Sequence, residues 1–155
     1  CYSTGGQALP SVEISESYNR GNISAPCAGG LLGVTYEIKL TNVYNAGSVS
    51  GNEYSGSIFA YSAVGSVKQC LGSGSVSGSA VESTIGYGLA NVTFTDCYHT
   101  FSSTSSFDKV TGTYTSSMYG STTYTDNMFW KAYNESTGKG SWIFSENDYP
   151  KLFWE

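Results

Sequence analysis

Apolar side chains recur along this chain in columns. Ile14, Leu40, Val67 and Phe94 follow one another at steps of 26, 27 and 27. Leu31, Ile58 and Ile85 step by 27, as do Val43, Cys70 and Cys97. Ile23, Val49 and Val76 step by 26 and 27. Tyr18, Tyr44, Leu71 and Tyr98 keep the same register, with steps of 26, 27 and 27. Within each period, small and polar residues alternate with apolar ones, as in "VTYEIKL" (Val34–Leu40). The pentapeptide "GSVSG" occurs at Gly47–Gly51 and again one period later, at Gly74–Gly78.

Alternation with period two is the mark of a strand, and self-similarity at 20–50 residues is the mark of stacked units. A period near 27 is too short for a propeller blade. Helical repeats need helix formers, and Ser, Thr, Gly, Val and Tyr dominate here. The Leu-x-x-Leu-x-Leu frame of leucine-rich repeats is absent. The pattern predicts an all-β fold, a parallel β-helix-like solenoid of about 27-residue coils. The coils fall near residues 1–24, 25–51, 52–78 and 79–104. The β-branched and aromatic columns are expected to point inward and stack about 4.8 Å apart.

The stretch "TNVYNAGSVSG" (Thr41–Gly51) then reads as strand, corner, strand. Val43 and Val49 are the inward rungs, with Ser48 and Ser50 facing out. Asn45 and Gly47 are expected to form the corner in a left-handed conformation, which these residue types tolerate. Asn19 precedes Asn45 by 26, so the two amides are placed to ladder along the stack.

Beyond about residue 104 the register fades. Residues 105–155 hold all three tryptophans, Trp130, Trp142 and Trp154. A solenoid must cover its last open layer, so this aromatic-rich unit is expected to be a C-terminal cap. "SWIFSENDYPKLFWE" (Ser141–Glu155) reads as strand, turn, strand.

Charge removes several functions. Seven Lys and Arg against twelve Asp and Glu give a net charge of −5, with no basic run to neutralise a phosphate backbone. Nucleic acid is therefore not an expected partner. No apolar stretch is long enough for a membrane-spanning helix. The four cysteines contain no Cys-x-x-Cys pair and His99 is the sole histidine, so neither a metal site nor a cofactor is expected. Cys70 and Cys97 read as free thiols on adjacent inward rungs. Cys1 and Cys27 lie about one coil apart, which leaves a bridge between them open. "CYSTGG" at the start matches the corner, which suggests a start inside a longer array with flanking domains. The rival reading of Cys1 is a lipid-bearing terminus.

"GGLLG" (Gly29–Gly33) followed by "NVYNAGSVSG" (Asn42–Gly51) resembles the GLUG repeat of bacterial surface proteins. A looser copy spans Gly56–Gly78, and the ending with Trp142, Tyr149, Pro150, Leu152 and Trp154 resembles the segment that closes such arrays. A third stretch, Ser83–Thr100, departs from the pattern, with Phe101 in place of the corner glycine. The resemblance implies an extracellular or cell-surface bacterial protein, often an adhesin or an exported protease. It implies no catalytic residue.

Candidate chemistry is sparse. Asp96, Cys97 and His99 sit together in "DCYHT", but as strand neighbours Cys97 and His99 share a face that Asp96 leaves. Paired carboxylates of a glycosidase must project together. Glu13 and Glu16 have opposite parity, Glu146 and Asp148 fall in a turn, and the Glu13 column continues as Lys39, Ser66 and Thr93. Asp126, Asn127, Asn134 and Glu135 lack the spacing of a calcium loop. Sequons at Asn22, Asn91 and Asn134 arise readily in so Ser/Thr-rich a chain. Aromatic rings can stack on sugars, which makes Trp130, Tyr133, Trp142 and Tyr149 the candidate ligand-binding residues. The expected function is a non-catalytic stalk or adhesive module that binds host glycans or extracellular proteins. The alternatives are an accessory domain of an exported protease and a polysaccharide-degrading β-helix.

Overall fold

The repeated columns become the rungs of a parallel β-solenoid. The computed structural model describes residues 11–78, 81–83, 85–99, 112–113, 133–143 and 151–155. One long face is built from β1 (Ser11–Asn19), β4 (Leu32–Asn45), β7 (Phe59–Gly72), β10 (Tyr87–Thr95), β11 (Tyr98–His99) and β12 (Gly112–Thr113). A second face holds β2 (Ile23–Ser24), β5 (Val49–Gly51) and β8 (Val76–Gly78). The third holds β3 (Cys27–Gly29), β6 (Tyr54–Gly56) and β9 (Val81–Ser83). Every pairing on these faces is parallel, and together they make about three turns. The only other pairing of strands among the described residues is antiparallel, between β13 (Trp142–Ile143) and β14 (Lys151–Leu152). No helix occurs among the described residues, so none is long and apolar enough to cross a membrane.

The expected register is the observed one. Ile14 pairs with Leu40, Leu40 with Val67, and Phe94 with Val67. Ile23, Val49 and Val76 form a second ladder, and Ile85 carries the backbone of Ile58 as Ile58 carries that of Leu31. Ile38, Leu40, Val43, Ile58, Phe59, Val67, Cys70 and Ile85 lie in one core and are fully buried. Each large apolar side chain buried this way contributes about 1.5–3 kcal/mol. The stack loses its regular step after β11, where β12 arrives well short of a full coil (Tyr98↔Gly112).

The corner falls where expected, at Asn45–Gly47 between β4 and β5, but the left-handed backbone lies elsewhere. Left-handed φ values fall at Glu16 (47°), Asn42 (53°), Gln69 (53°) and Asp96 (54°), one per coil at the same position. Neither Asn45 nor Gly47 is among them. A left-handed residue drops out of the ladder, so Thr41 pairs with Lys68 and Val43 with Cys70 while Asn42 is skipped. It also resets the alternation. Leu40 and Val43 both enter the core although they are three positions apart, and Val67 and Cys70 repeat the step. Tyr44 is fully buried, as its column implied, but against Tyr18 and Trp142 on the flank and outside the central core cluster.

Asn45 and Gly47 do other work. Asn45 is fully buried. Its amide donates to the Gly47 carbonyl at 2.7 Å, and its Oδ1 accepts the Gly47 N–H at 3.1 Å. Asn19 clips Gly21 in the same way at 2.7 and 3.0 Å. The expected amide ladder joins them, Asn19 Nδ2 to Asn45 Oδ1 at 2.7 Å. Gly47 is needed for stacking: a Cβ there would stand 2.0 Å from the Gly21 carbonyl oxygen, and one at Gly74 would stand 2.0 Å from that of Gly47.

Candidate functional site: the flank under the C-terminal hairpin

The flank carries two superposed rows. One is the left-handed row of Glu16, Asn42 and Gln69, and the other is the tyrosine row of Tyr18 and Tyr44. Tyr18 and Tyr44 stack with centroids 5.3 Å apart and planes 8° from parallel, as parallel rungs dictate. The hairpin of β13 and β14 lies across both rows. The Ser141 hydroxyl donates to Glu16 Oε1 at 2.6 Å and accepts from Asn42 Nδ2 at 3.2 Å. The Trp142 indole N–H donates to Asn42 Oδ1 at 3.1 Å, and its ring tilts against Tyr44 at 6.4 Å. Glu155 closes the far end, accepting from both the Tyr44 hydroxyl and the Arg20 guanidinium. Its other oxygen accepts the Leu152 N–H at 2.8 Å, which keeps the carboxylate aimed inward.

Burial, reinforced by the bond to Glu155, pushes the Tyr44 phenol well above its ordinary range, with Arg20 opposing. The phenol is thus a fixed neutral donor under the hairpin. Asp96, on the last rung of the left-handed row, is also raised, by burial.

The row extends past the hairpin's hydrogen bonds. Asn42, Gln69, Gly140, Ser141 and Trp142 line a cleft of about 240 Å³. No charged side chain is among these residues. Gln69 stands where Asn42 and Glu16 stand one and two coils earlier, yet its amide has no hydrogen bond among the described residues.

Of the four aromatic candidates, Trp142 and Tyr133 are brought together. The Tyr133 N–H donates to the Trp142 carbonyl at 2.8 Å, and its ring stacks on Phe153 at 4.0 Å. Trp142 is 1% exposed and lies on the flank of the first two coils, so it offers no open ring face. Trp154 is 42% exposed and packs edge-on against Phe153. Trp130 and Tyr149 lie outside the described residues, as do Cys1, Asp126, Asn127, Glu146 and Asp148.

The remaining candidates stay in the stack. Cys70 and Cys97 are free and buried, as expected. Their hydrogens point to backbone carbonyls, Cys70 Sγ to Lys68 O at 3.1 Å and Cys97 Sγ to Val67 O at 3.4 Å. Burial, with Cys97 alongside, raises the Cys70 thiol well above its usual value, which leaves it unreactive. Cys27 is held in a disulfide whose partner lies outside the described residues. His99 is 8% exposed and continues the Asn45–Gly72 corner. Glu13 and Lys39 pair at 2.7 Å on a solvated face that Ser66 and Thr93 continue.

Sequence reasoning weighed Glu16 only as a carboxylate beside Glu13 and passed over Asn42, Gln69 and Ser141. A signal existed for Glu16, Asn42 and Gln69. Two inward columns three positions apart within one strand require a residue that breaks the alternation between them.

Two further surfaces were not anticipated. Tyr54, Tyr61 and Tyr87 meet at a corner of the stack, with centroids 5.4 to 5.7 Å apart. A groove of about 630 Å³ runs across the coils between the second and third faces, lined by residues that include Ser24, Pro26, Ser50, Asn52 and Gly78. No protein-family model, curated protein or solved structure matches the chain.

Proposed function

We propose that the chain is a non-catalytic extracellular solenoid, an adhesive or stalk module of a bacterial surface protein, that binds neutral glycan chains along its side. The groove across the coils is the observation that carries this reading. Its lining contains hydroxyls, an amide, a proline and glycines from three successive coils and, among the described residues, no ionised side chain. Beside it, Ser75 Oγ donates to Ser48 Oγ at 2.9 Å, and the Ser48 N–H donates to Asn22 Oδ1 at 3.0 Å. Such a row offers donors and acceptors at the coil spacing, which suits an extended polyhydroxylated chain. The Tyr54–Tyr61–Tyr87 cluster adds aromatic surface at a neighbouring corner, and rings of this kind favour the C–H faces of sugars. The low charge of the chain, 12% of residues, fits a ligand without charge.

The test is a panel of neutral and acidic glycans, mucin and extracellular matrix proteins, read for binding and for turnover in parallel. Saturable binding of a neutral oligosaccharide, weakened at least tenfold by Ser50→Arg with the fold intact, is the expected result. Turnover of any glycan, or a preference for acidic ones, overturns it.

A further inference from the structure

We infer that the cleft at Gln69 is a second, smaller subsite that takes one neutral sugar ring; the choice of ligand class rests on the glycan reading above. Three observations meet there. The first is backbone conformation. Glutamine lacks the short side chain with which asparagine relieves a left-handed φ, yet Gln69 holds φ 53°. Glu16, Asn42 and Asp96 share this conformation, so it belongs to the row and sets where the Gln69 side chain leaves the flank. The second is the state of its partners. In the same row, Glu16 and Asn42 are both engaged by the hairpin, through Ser141 and Trp142. Gln69 carries an amide, one donor pair and one acceptor, that nothing among the described residues engages. The third is the space. The 240 Å³ cleft is smaller than the roughly 300–1,000 Å³ of sites for drug-sized ligands and suits a single ring.

The chemistry of the walls selects the ring. Gly140 contributes an open backbone and Gln69 a group that can give and take a hydrogen bond at once, while Trp142, itself buried, backs the wall behind them. Two neighbouring ring hydroxyls match that amide, one accepting from Nε2 and one donating to Oε1. With no ionised residue among the described residues of the lining, a sulfated or carboxylated sugar would lose its hydration without a partner. Because the hairpin and the turn before it supply three of the five described lining residues, the subsite exists only while the hairpin is docked.

The experiment is saturation-transfer NMR on the 155-residue chain with glucose, galactose and N-acetylglucosamine, each titrated to tens of millimolar. Thermal unfolding of every variant is read alongside. Wild type is expected to give saturable transfer from at least one of these sugars. Gln69→Gly is expected to weaken that binding at least tenfold while Tm rises, because glycine accepts the left-handed backbone. Gln69→Asn, which keeps an amide one carbon shorter, is expected to weaken binding less and to hold or raise Tm. It provides the reading should the glycine variant fold poorly. Unchanged sugar binding in both variants overturns the subsite, and so does a Tm that falls in both. Neutral oligosaccharide binding that responds to Ser50→Arg but not to Gln69 substitution removes the subsite and leaves the groove standing. A wild type that binds no sugar of any length removes both.

Discussion

The interior of the stack and its flank are held by different means. Inside, like sits on like: Leu40 on Val67, Val49 on Val76, Ile58 on Ile85. Each rung repeats a contact already made one coil earlier, so the sequence states it several times. On the flank, partners are unlike and far apart in the chain. Ser141 meets Glu16 across 125 residues, Trp142 meets Asn42 across 100, and Glu155 meets Tyr44 across 111. These contacts are polar, few and stated once. The repeat thus builds a body that can be lengthened or shortened coil by coil, whereas the hairpin fixes one place on that body.

If that division is real, a core truncation should loosen everything and a flank truncation only the hairpin. Leu40→Ala removes a fully buried side chain between Ile14 and Val67. It is expected to cost about 2–5 kcal/mol in urea unfolding, with the hairpin and stack lost in one transition. Hairpin protection that survives while the stack opens would contradict the division, since the hairpin has nothing else described to dock on.

A smaller effect is expected from Trp142→Ala. An isolated two-stranded hairpin is marginal in water, so losing its anchor should release β13 and β14. The expected cost to the stack is about 1–3 kcal/mol, the docking free energy and not that of a core cavity. Hydrogen exchange separates the outcomes. The amides of Tyr133 and Phe153, which donate to the Trp142 and Ser141 carbonyls, should lose protection. Those of Leu40 and Val67 should keep it. Equal loss at all four would mean that the flank carries the stack.

The same contrast explains what could be read from the sequence. The columns at Leu40, Val43 and Val49 were legible because their chemistry recurs. The Asn19–Asn45 ladder was legible for the same reason. The left-handed row was legible only through the three-residue spacing of the inward columns, because Glu16, Asn42, Gln69 and Asp96 share a conformation but no side-chain identity. Propensity pointed instead to Asn45 and Gly47, whose local chemistry is real but serves the Asn–Gly clip and the close stacking of coils. Tyr44 is buried as its column implied but on the flank, because a single left-handed residue moves the next side chain to the other face. The place of Trp142 on the flank had no sequence signal, since its hydrogen-bond partner lies in the repeat, far back along the chain.

The smallest effect sharpens the comparison most, because it isolates one atom of the flank. Tyr44→Phe removes the hydroxyl that donates to Glu155 and leaves Arg20 on that carboxylate. At neutral pH it is expected to cost about 1–2 kcal/mol. Its signature lies at high pH. The Tyr44 phenol is raised above its ordinary value in the folded chain, by burial first and by Glu155 second. A group with a raised folded pKa contributes stability that is whole below the unfolded pKa of about 10 and is lost as pH climbs toward the folded value. The wild type should therefore lose stability above pH ~10 faster than Tyr44→Phe, and the gap between their urea midpoints should close. Tyr98, raised by its own burial, is present in both chains and drops out of the difference. A gap that stays constant from about pH 8 to 11 would mean that the Tyr44 hydroxyl is open to water. The hairpin would then not seal the flank, and the contrast with the closed interior would fail at that point.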